Sequence, residues 1–154
     1  MLPVAIGVAL LLLLSSASLQ TVALQSHGLA AAAERARRAE DDLASAAHDL
    51  VGELNLAHRC LLGRPSAAWR AADPICPAPV ALTGPRRLET PAVDYVLLEW
   101  SPAGSGTAAE LLLERPAASG EPARRAAFAV RLAGTGSDRQ AVAVRPLGLR
   151  GVME

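Results

Sequence analysis

The sequence predicts an α+β fold: a long N-terminal helix, membrane-spanning in its first half and amphipathic in its second, packed on a small four-stranded antiparallel sheet. Three observations carry this expectation. No charged side chain precedes Glu34, and the run from Leu2 to Leu24 is apolar almost throughout. Beyond it, small residues and leucines recur at steps of three and four as far as Leu61. After a proline-rich interval, short alternating apolar runs bounded by Gly, Pro, Ser and Asp follow one another towards the C-terminus.

The first element is expected over 1–26. As a helix, Leu2 to Leu24 would extend roughly 35 Å at about 1.5 Å per residue. That suffices for the roughly 30 Å hydrocarbon core of a bilayer with some tilt. A cleaved secretory signal competes with this reading, and Ser16-Ala17-Ser18 offers it a small-residue cleavage site. Such a signal carries a basic segment ahead of its apolar core. None precedes this one, and apolar character resumes at Leu19, Val22 and Leu24. A helix buried within a small soluble core would need cover on every side, which a chain of 154 residues supplies poorly. The expectation is therefore a retained assembly helix whose apolar contacts come from Leu2, Val4, Ile6, Leu10, Leu14, Leu19 and Leu24. Pro3 falls in the first turn, where its missing N–H would be unpaired anyway. Ser15, Ser16, Ser18, Gln20 and Thr21 suit a helix leaving the bilayer or approaching sister helices closely.

An amphipathic continuation is expected over 27–62. Leu29, Ala32, Ala36, Ala39, Leu43, Ala46 or Ala47, Leu50, Leu54, Ala57 and Leu61 form one stripe, alanine-rich at first and leucine-rich later. The leucine-rich part is expected to pack the head, and the alanine-rich part to bridge towards the apolar segment. Glu34, Arg37, Arg38, Asp41, Asp42, Asp49 and Glu53 lie mostly off the stripe and read as a solvated face. Gly63-Arg64-Pro65 ends the helix, glycine suiting the C-terminal turn and proline being unable to continue it.

Residues 63–92 hold six prolines, at 65, 74, 77, 79, 85 and 91, and read as an irregular loop. Cys60 and Cys76 flank its first half. In an exported protein such an isolated pair is expected to be a disulfide. No C-x-x-C motif suggests a redox site or a zinc knuckle. Trp69 is expected to cover the nearby end of the core. The head, 93–154, is expected to be a β meander. Its strands are Val93 to Trp100, with Val96, Leu98 and Trp100 on one face; Ala108 to Arg115; Ala126 to Leu132, with Phe128, Val130 and Leu132 aligned; and Gln140 to Arg145, with Val142 and Val144 aligned. Thr107-Ala-Ala-Glu110 equally fits a capping box opening a short helix.

Composition narrows the function. Fifteen basic and fifteen acidic residues cancel, so nucleic acid, which demands a basic surplus, is not expected as the main partner. Aromatics are few (Trp69, Trp100, Tyr95 and Phe128), too sparse for a stacking platform. His27, His48 and His58 do not converge, the last two being about 280° apart around a helix. Ser105 in Gly104-Ser-Gly106 lacks the spacing of a nucleophile elbow. Gly134-Thr-Gly136 is too short to cradle a phosphate. Each reads as a turn or surface residue. No catalytic residue, cofactor or metal is expected.

Val4-Ala-Ile-Gly-Val-Ala-Leu-Leu-Leu-Leu-Leu14, then Gln20-Thr-Val-Ala-Leu-Gln25 and Ala39-Glu-Asp-Asp-Leu-Ala-Ser-Ala-Ala47, resemble the N-terminal segment of type IV pilins. They look most like minor pilins, pseudopilins and the pilin-like proteins of cyanobacteria. The resemblance covers residues 2 to about 60; the head is similar in architecture alone. It implies a filament subunit without enzymatic activity. Such a subunit waits in the bacterial inner membrane with its head in the periplasm, then enters a cell-surface filament used for adhesion, motility or DNA uptake. Its implied partners are other pilin subunits, the inner-membrane assembly machinery and the lipid bilayer. The family's basic leader, which ends in glycine, is expected to have been removed ahead of Met1 or to be encoded upstream of it. Ala5 stands where the family usually has a glutamate, which suits a low-abundance or tip subunit better than a major one. A single-pass anchored periplasmic module that binds another protein, outside any pilus, is the alternative.

Overall fold

The computed structural model describes the backbone of residues 2–69, 76, 82–118 and 120–150, and among these the side chains from residue 25 onward. The described residues include one long helix, 3-10 turns over Arg59–Gly63, Ser66–Ala68 and Gly136–Asp138, and five strands. Helix α1 runs Leu2–Ala57. The chain divides into two compact units, Met1–Arg38 and Ala39–Glu154.

In the first unit, the described side chains from Gln25 to Arg38 are exposed or half-exposed. Leu29 is 73% exposed and Ala39 is fully buried, so the alanine-rich part of the predicted stripe packs only at its C-terminal end. Local pairs support this stretch instead. Glu34 meets Arg37 at 3.3 Å and Arg38 at 3.0 Å, at the i,i+3 and i,i+4 spacings that place side chains on one face. Arg35 donates from Nε to the carbonyl of Ala31. Among the described residues no helix is long and apolar enough to cross a membrane. The predicted membrane-spanning half is therefore corrected as a feature of the described fold, because α1 from Gln25 onward carries too many charges. Leu2, Val4, Ile6, Leu10, Leu14, Leu19 and Leu24, the expected assembly contacts, lie outside the residues whose side chains are described.

The second unit holds the core. From Ala39 the predicted stripe is buried at Leu43, Ala46, Ala47, Leu50 and Leu54, joined by Val51. It packs on Tyr95, Leu97, Trp100, Leu111, Leu113, Phe128 and Val130, the inward residues of the sheet. Apolar side chains at steps of three and four present one continuous face to that sheet, which is why the leucine-rich part of the stripe is the buried part. The helix ends at Ala57, earlier than the expected Leu62, and a 3-10 turn over Arg59–Gly63 follows. The tighter turn buries Leu61 and Leu62 together.

The sheet has five antiparallel strands, not the predicted four, in the order β1-β2-β3-β4-β5. They are β1 Pro85–Leu88, β2 Val93–Pro102, β3 Ala108–Arg115, β4 Arg124–Ala133 and β5 Gln140–Arg150. Strand β1 lies in the interval read as an irregular loop. Proline is tolerated as the first residue of an edge strand, and Pro85 sits there, with Pro85 to Leu88 pairing Val96 to Val93. Thr107 to Glu110 opens no helix; Ala108 starts β3 and pairs Arg131 of β4.

Three β-bulges account for the misjudged faces. The β2–β3 register skips Leu98, and the β4–β5 register skips Val142 and Leu147. A bulge leaves its extra residue unpaired and reverses the alternation beyond it. Thus Tyr95, Leu97 and Trp100 point inward, where Val96, Leu98 and Trp100 were expected, and Leu98 is 39% exposed. Likewise Val142 is 48% exposed and Leu147 43%, so Val142 and Val144 do not share a buried face. Phe128, Val130 and Leu132 do align inward as the sequence predicts.

Candidate functional site

Polar groups tie α1 to four of the five strands. Arg86 of β1 forms a salt bridge to Glu53 and stacks its guanidinium 5.8 Å from the centroid of the Tyr95 ring. Tyr95 of β2 donates its hydroxyl to Asp49 at 3.2 Å. Arg115 of β3 reaches Asp42 at 3.4 Å and also pairs with Glu121. Asn55 faces β5 and treats Ala141 as a strand partner: its amide N–H donates to the Ala141 carbonyl, and its carbonyl accepts from the Ala141 N–H, both at 2.8 Å. The sequence predicts a solvated face for Asp42, Asp49 and Glu53. They line one flank of the leucine stripe closely enough to reach the sheet, and Asn55 does the same from the opposite flank. Only the acid-rich spacing beside the leucines hinted at this.

Burial is the main cause that pushes the Tyr95 phenol up to about 12, with Asp49 adding to the rise and Arg86 opposing it. For Arg86, burial pulls its pKa down, but the hydrogen bond to Glu53 and the fields of Tyr95 and Glu53 outweigh it, leaving a net upward shift. The cluster is therefore a charged arginine and a neutral phenol held between acids, which locks the helix on β1 and β2.

Cys60 and Cys76 are bonded, with Cα atoms 5.8 Å apart. The bridge ties the 3-10 turn after α1 to the proline-rich interval. Beside it Trp69 is 2% exposed, donates from Nε1 to the Arg64 carbonyl at 2.9 Å and lies 6.4 Å from the Trp100 ring. Trp100 donates from its ring nitrogen to the Leu62 carbonyl and from its backbone N–H to Ser66 Oγ. A recess of about 530 Å³ opens beside this point, lined by Ser66, Thr83, Leu98, Glu99 and neighbouring residues. No histidine lines it, and Ser66 Oγ is already engaged.

The histidines do not converge: His27 and His48 are exposed and His58 half-buried. Ser105 and Thr107 share a 2.9 Å hydrogen bond within the exposed β2–β3 turn. Gly134 and Gly136 adopt positive φ of 77° and 57° in the β4–β5 turn, a conformation glycine takes without strain. Among the described residues no group of three or more His, Cys, Asp or Glu side chains is placed to hold a metal.

The sheet face turned away from α1 is ordered by charge. The residues here follow the strand register in four rows. Ala108, Arg131 and Ala143 form the first row, and Ser101, Glu110, Ala129 and Arg145 the second. Glu99, Leu112, Ala127 and Gly148 form the third, and Val96, Glu114, Arg125 and Arg150 the fourth. Acids thus sit on β2 and β3, and arginines on β4 and β5. Arg125 meets Glu114 at 2.6 Å and Arg150 reaches Glu110 at 3.6 Å. The side chains of Arg131, Arg145 and Glu99 are exposed and have no hydrogen bond or ion pair among the described residues. The sheet's two edges are poor templates for another strand. β1 is four residues long with a proline and two arginines, and β5 is broken by two bulges and Pro146.

No family model, curated protein or solved structure matches this chain.

Proposed function

We propose that the chain is a structural subunit of a type IV pilus-like filament, of the minor pilin or pseudopilin kind, with no catalytic residue. One observation carries the reading: a charge-free apolar run, 2 to 24, continues as a single helix into the leucine stripe that nucleates the head's core. Such a helix has two apolar surfaces to satisfy. The C-terminal one is satisfied by the sheet. The N-terminal one requires lipid before assembly and the helices of neighbouring subunits afterwards, because water solvates neither. The disulfide fits an oxidising compartment such as the periplasm. In this reading the partners are sister subunits, the inner-membrane assembly machinery and, before extraction, the bilayer. The filament serves adhesion, motility or DNA uptake.

Two measurements test this. The chain's N-terminus is read by mass analysis from cells with and without their prepilin peptidase, and filaments sheared from the same cells are probed for the chain. The expected results are peptidase-dependent processing and incorporation into filaments that Leu10→Arg abolishes, since a charge cannot be buried unpaired among apolar helices. Absence of the chain from sheared filaments, together with identical N-termini in both strains, would overturn the proposal and favour a single-pass anchored binding module.

A further inference from the structure

The outward sheet face is matched to itself. Consider two copies face to face, related by a two-fold axis parallel to the strands and running between β3 and β4. That rotation lays β2 of one copy over β5 of the other and β3 over β4, with each row kept in line. Acidic strands then oppose basic strands twice over. The rows also fit by size. Glu99 faces Gly148 of the second copy, Glu110 faces Ala129, Arg131 faces Ala108 and Arg145 faces Ser101. Each of these four long charged side chains meets a small residue across the contact, while Arg150, paired with Glu110 of its own copy, faces Val96. Glu114 meets Arg125, its opposite in charge.

We propose that this face binds a second copy of the same chain through that two-fold contact. Arg145 of each copy lies one row from Glu99 of the other, on the strand laid over it, and would engage that carboxylate; Arg131 lies one row from Glu110 of the other copy. The inference goes beyond the filament reading and does not depend on it. Three further facts support a second copy as the occupant. Among the described residues, the side chains of Arg131, Arg145 and Glu99 are the exposed charges of this face that have no partner. The chain's formal net charge is zero, so two copies approach without overall repulsion. Both sheet edges are blunted, which leaves the face as the part of the sheet able to receive another sheet. An isologous contact closes on itself and repeats every interaction, as symmetric dimers do. Four strands about 4.8 Å apart and about 25 Å long present roughly 500 Å² per copy. That area lies at the small end of specific interfaces, so the contact is expected to be reversible and salt-sensitive.

Charge exchange tests it on the full chain in a neutral detergent, with association measured by sedimentation equilibrium. R145E and E99R are each expected to associate about tenfold or more weakly than the wild type, since like charges now oppose. An equimolar mixture of the two variants is expected to return to wild-type affinity, because each supplies the sign the other lacks. The mixture also reports that both variants are folded. Raising salt should weaken the wild type and the mixture alike. Variants that associate like the wild type, or that stay weak when mixed, would overturn the contact. Normal filament incorporation of both variants alongside loss with Leu10→Arg would leave the subunit reading standing whatever the dimer result.

Discussion

At the scale of single residues, Tyr95 and Asn55 show how the helix is fixed to the sheet. Tyr95 is the chain's one tyrosine, 1% exposed, with its phenol pushed up to about 12 by burial and by Asp49 against the opposing field of Arg86. Its ionisation is therefore isolated spectroscopically, and the tyrosinate absorbance near 295 nm should appear about two pH units above the ordinary midpoint of about 10. The sign follows from proton binding. Between pH 10 and 12 the folded chain holds a proton that the unfolded chain has released, so stability is intact below about pH 10 and falls as pH rises through that window. Tyr95→Phe should flatten this alkaline decline. A phenol titrating near 10 in the folded protein would contradict the burial. Asn55 is a second test. Asn55→Ala removes two hydrogen bonds and leaves the Ala141 N–H and carbonyl without their partner, which should cost about 1–3 kcal/mol in urea unfolding. Asn55→Asp should recover little, because a carboxylate accepts from the N–H but cannot donate to the carbonyl.

At the scale of elements, the bulges separate what could be read from what could not. Period-2 alternation correctly placed Phe128, Val130 and Leu132 on the inner face of β4, and helical periodicity correctly placed Leu43, Leu50 and Leu54 in the core. It failed on β2 and β5 because a bulge adds one residue without any side-chain signature, and that one residue exchanges the faces. The run Leu97-Leu98 gave no basis for choosing which leucine points inward. Strand β1 was missed for a related reason. Its Pro85 and the nearby Pro91 suppress a strand reading, although an edge strand needs few inward donors. A paired measurement checks the β2 assignment. Leu97→Ala should cost about 2–5 kcal/mol by opening the core, whereas Leu98→Ala should stay within about 0.5 kcal/mol as a surface change. Equal costs would place the bulge elsewhere. The disulfide acts at this scale as well. Cys60 and Cys76 are separated by 16 residues, and replacing both by alanine should cost about 3 kcal/mol through the freer unfolded chain. Denaturant midpoints of the oxidised and double-alanine forms measure it directly.

At the scale of the whole molecule, one helix passes through two units of different character. Up to Arg38 its described side chains are solvated or engaged with one another, and among the described residues every buried core side chain lies at Ala39 or beyond. The sheet, the disulfide and all four helix-to-strand clasps also belong to the second unit. Among the described residues, apolar burial, the main stabilising contribution, is thus supplied by the second unit. A chain beginning at Glu34 should consequently fold by itself. Glu34 would then stand in the first turn, where its negative charge offsets the exposed N–H groups of a new helix start, and its pairs with Arg37 and Arg38 would remain. Fraying should be confined to the turn before Ala39, because from that residue the stripe is held by the sheet. The expected result is a cooperative urea transition within about 1 kcal/mol of the full chain, with the near-ultraviolet dichroism of buried Trp69 and Trp100 preserved. A broad transition with lost tryptophan dichroism would mean that residues ahead of Glu34 contribute to the core. The same shortened chain should fail to enter filaments, since folding of the head and assembly through residues 2 to 24 draw on different halves of one helix.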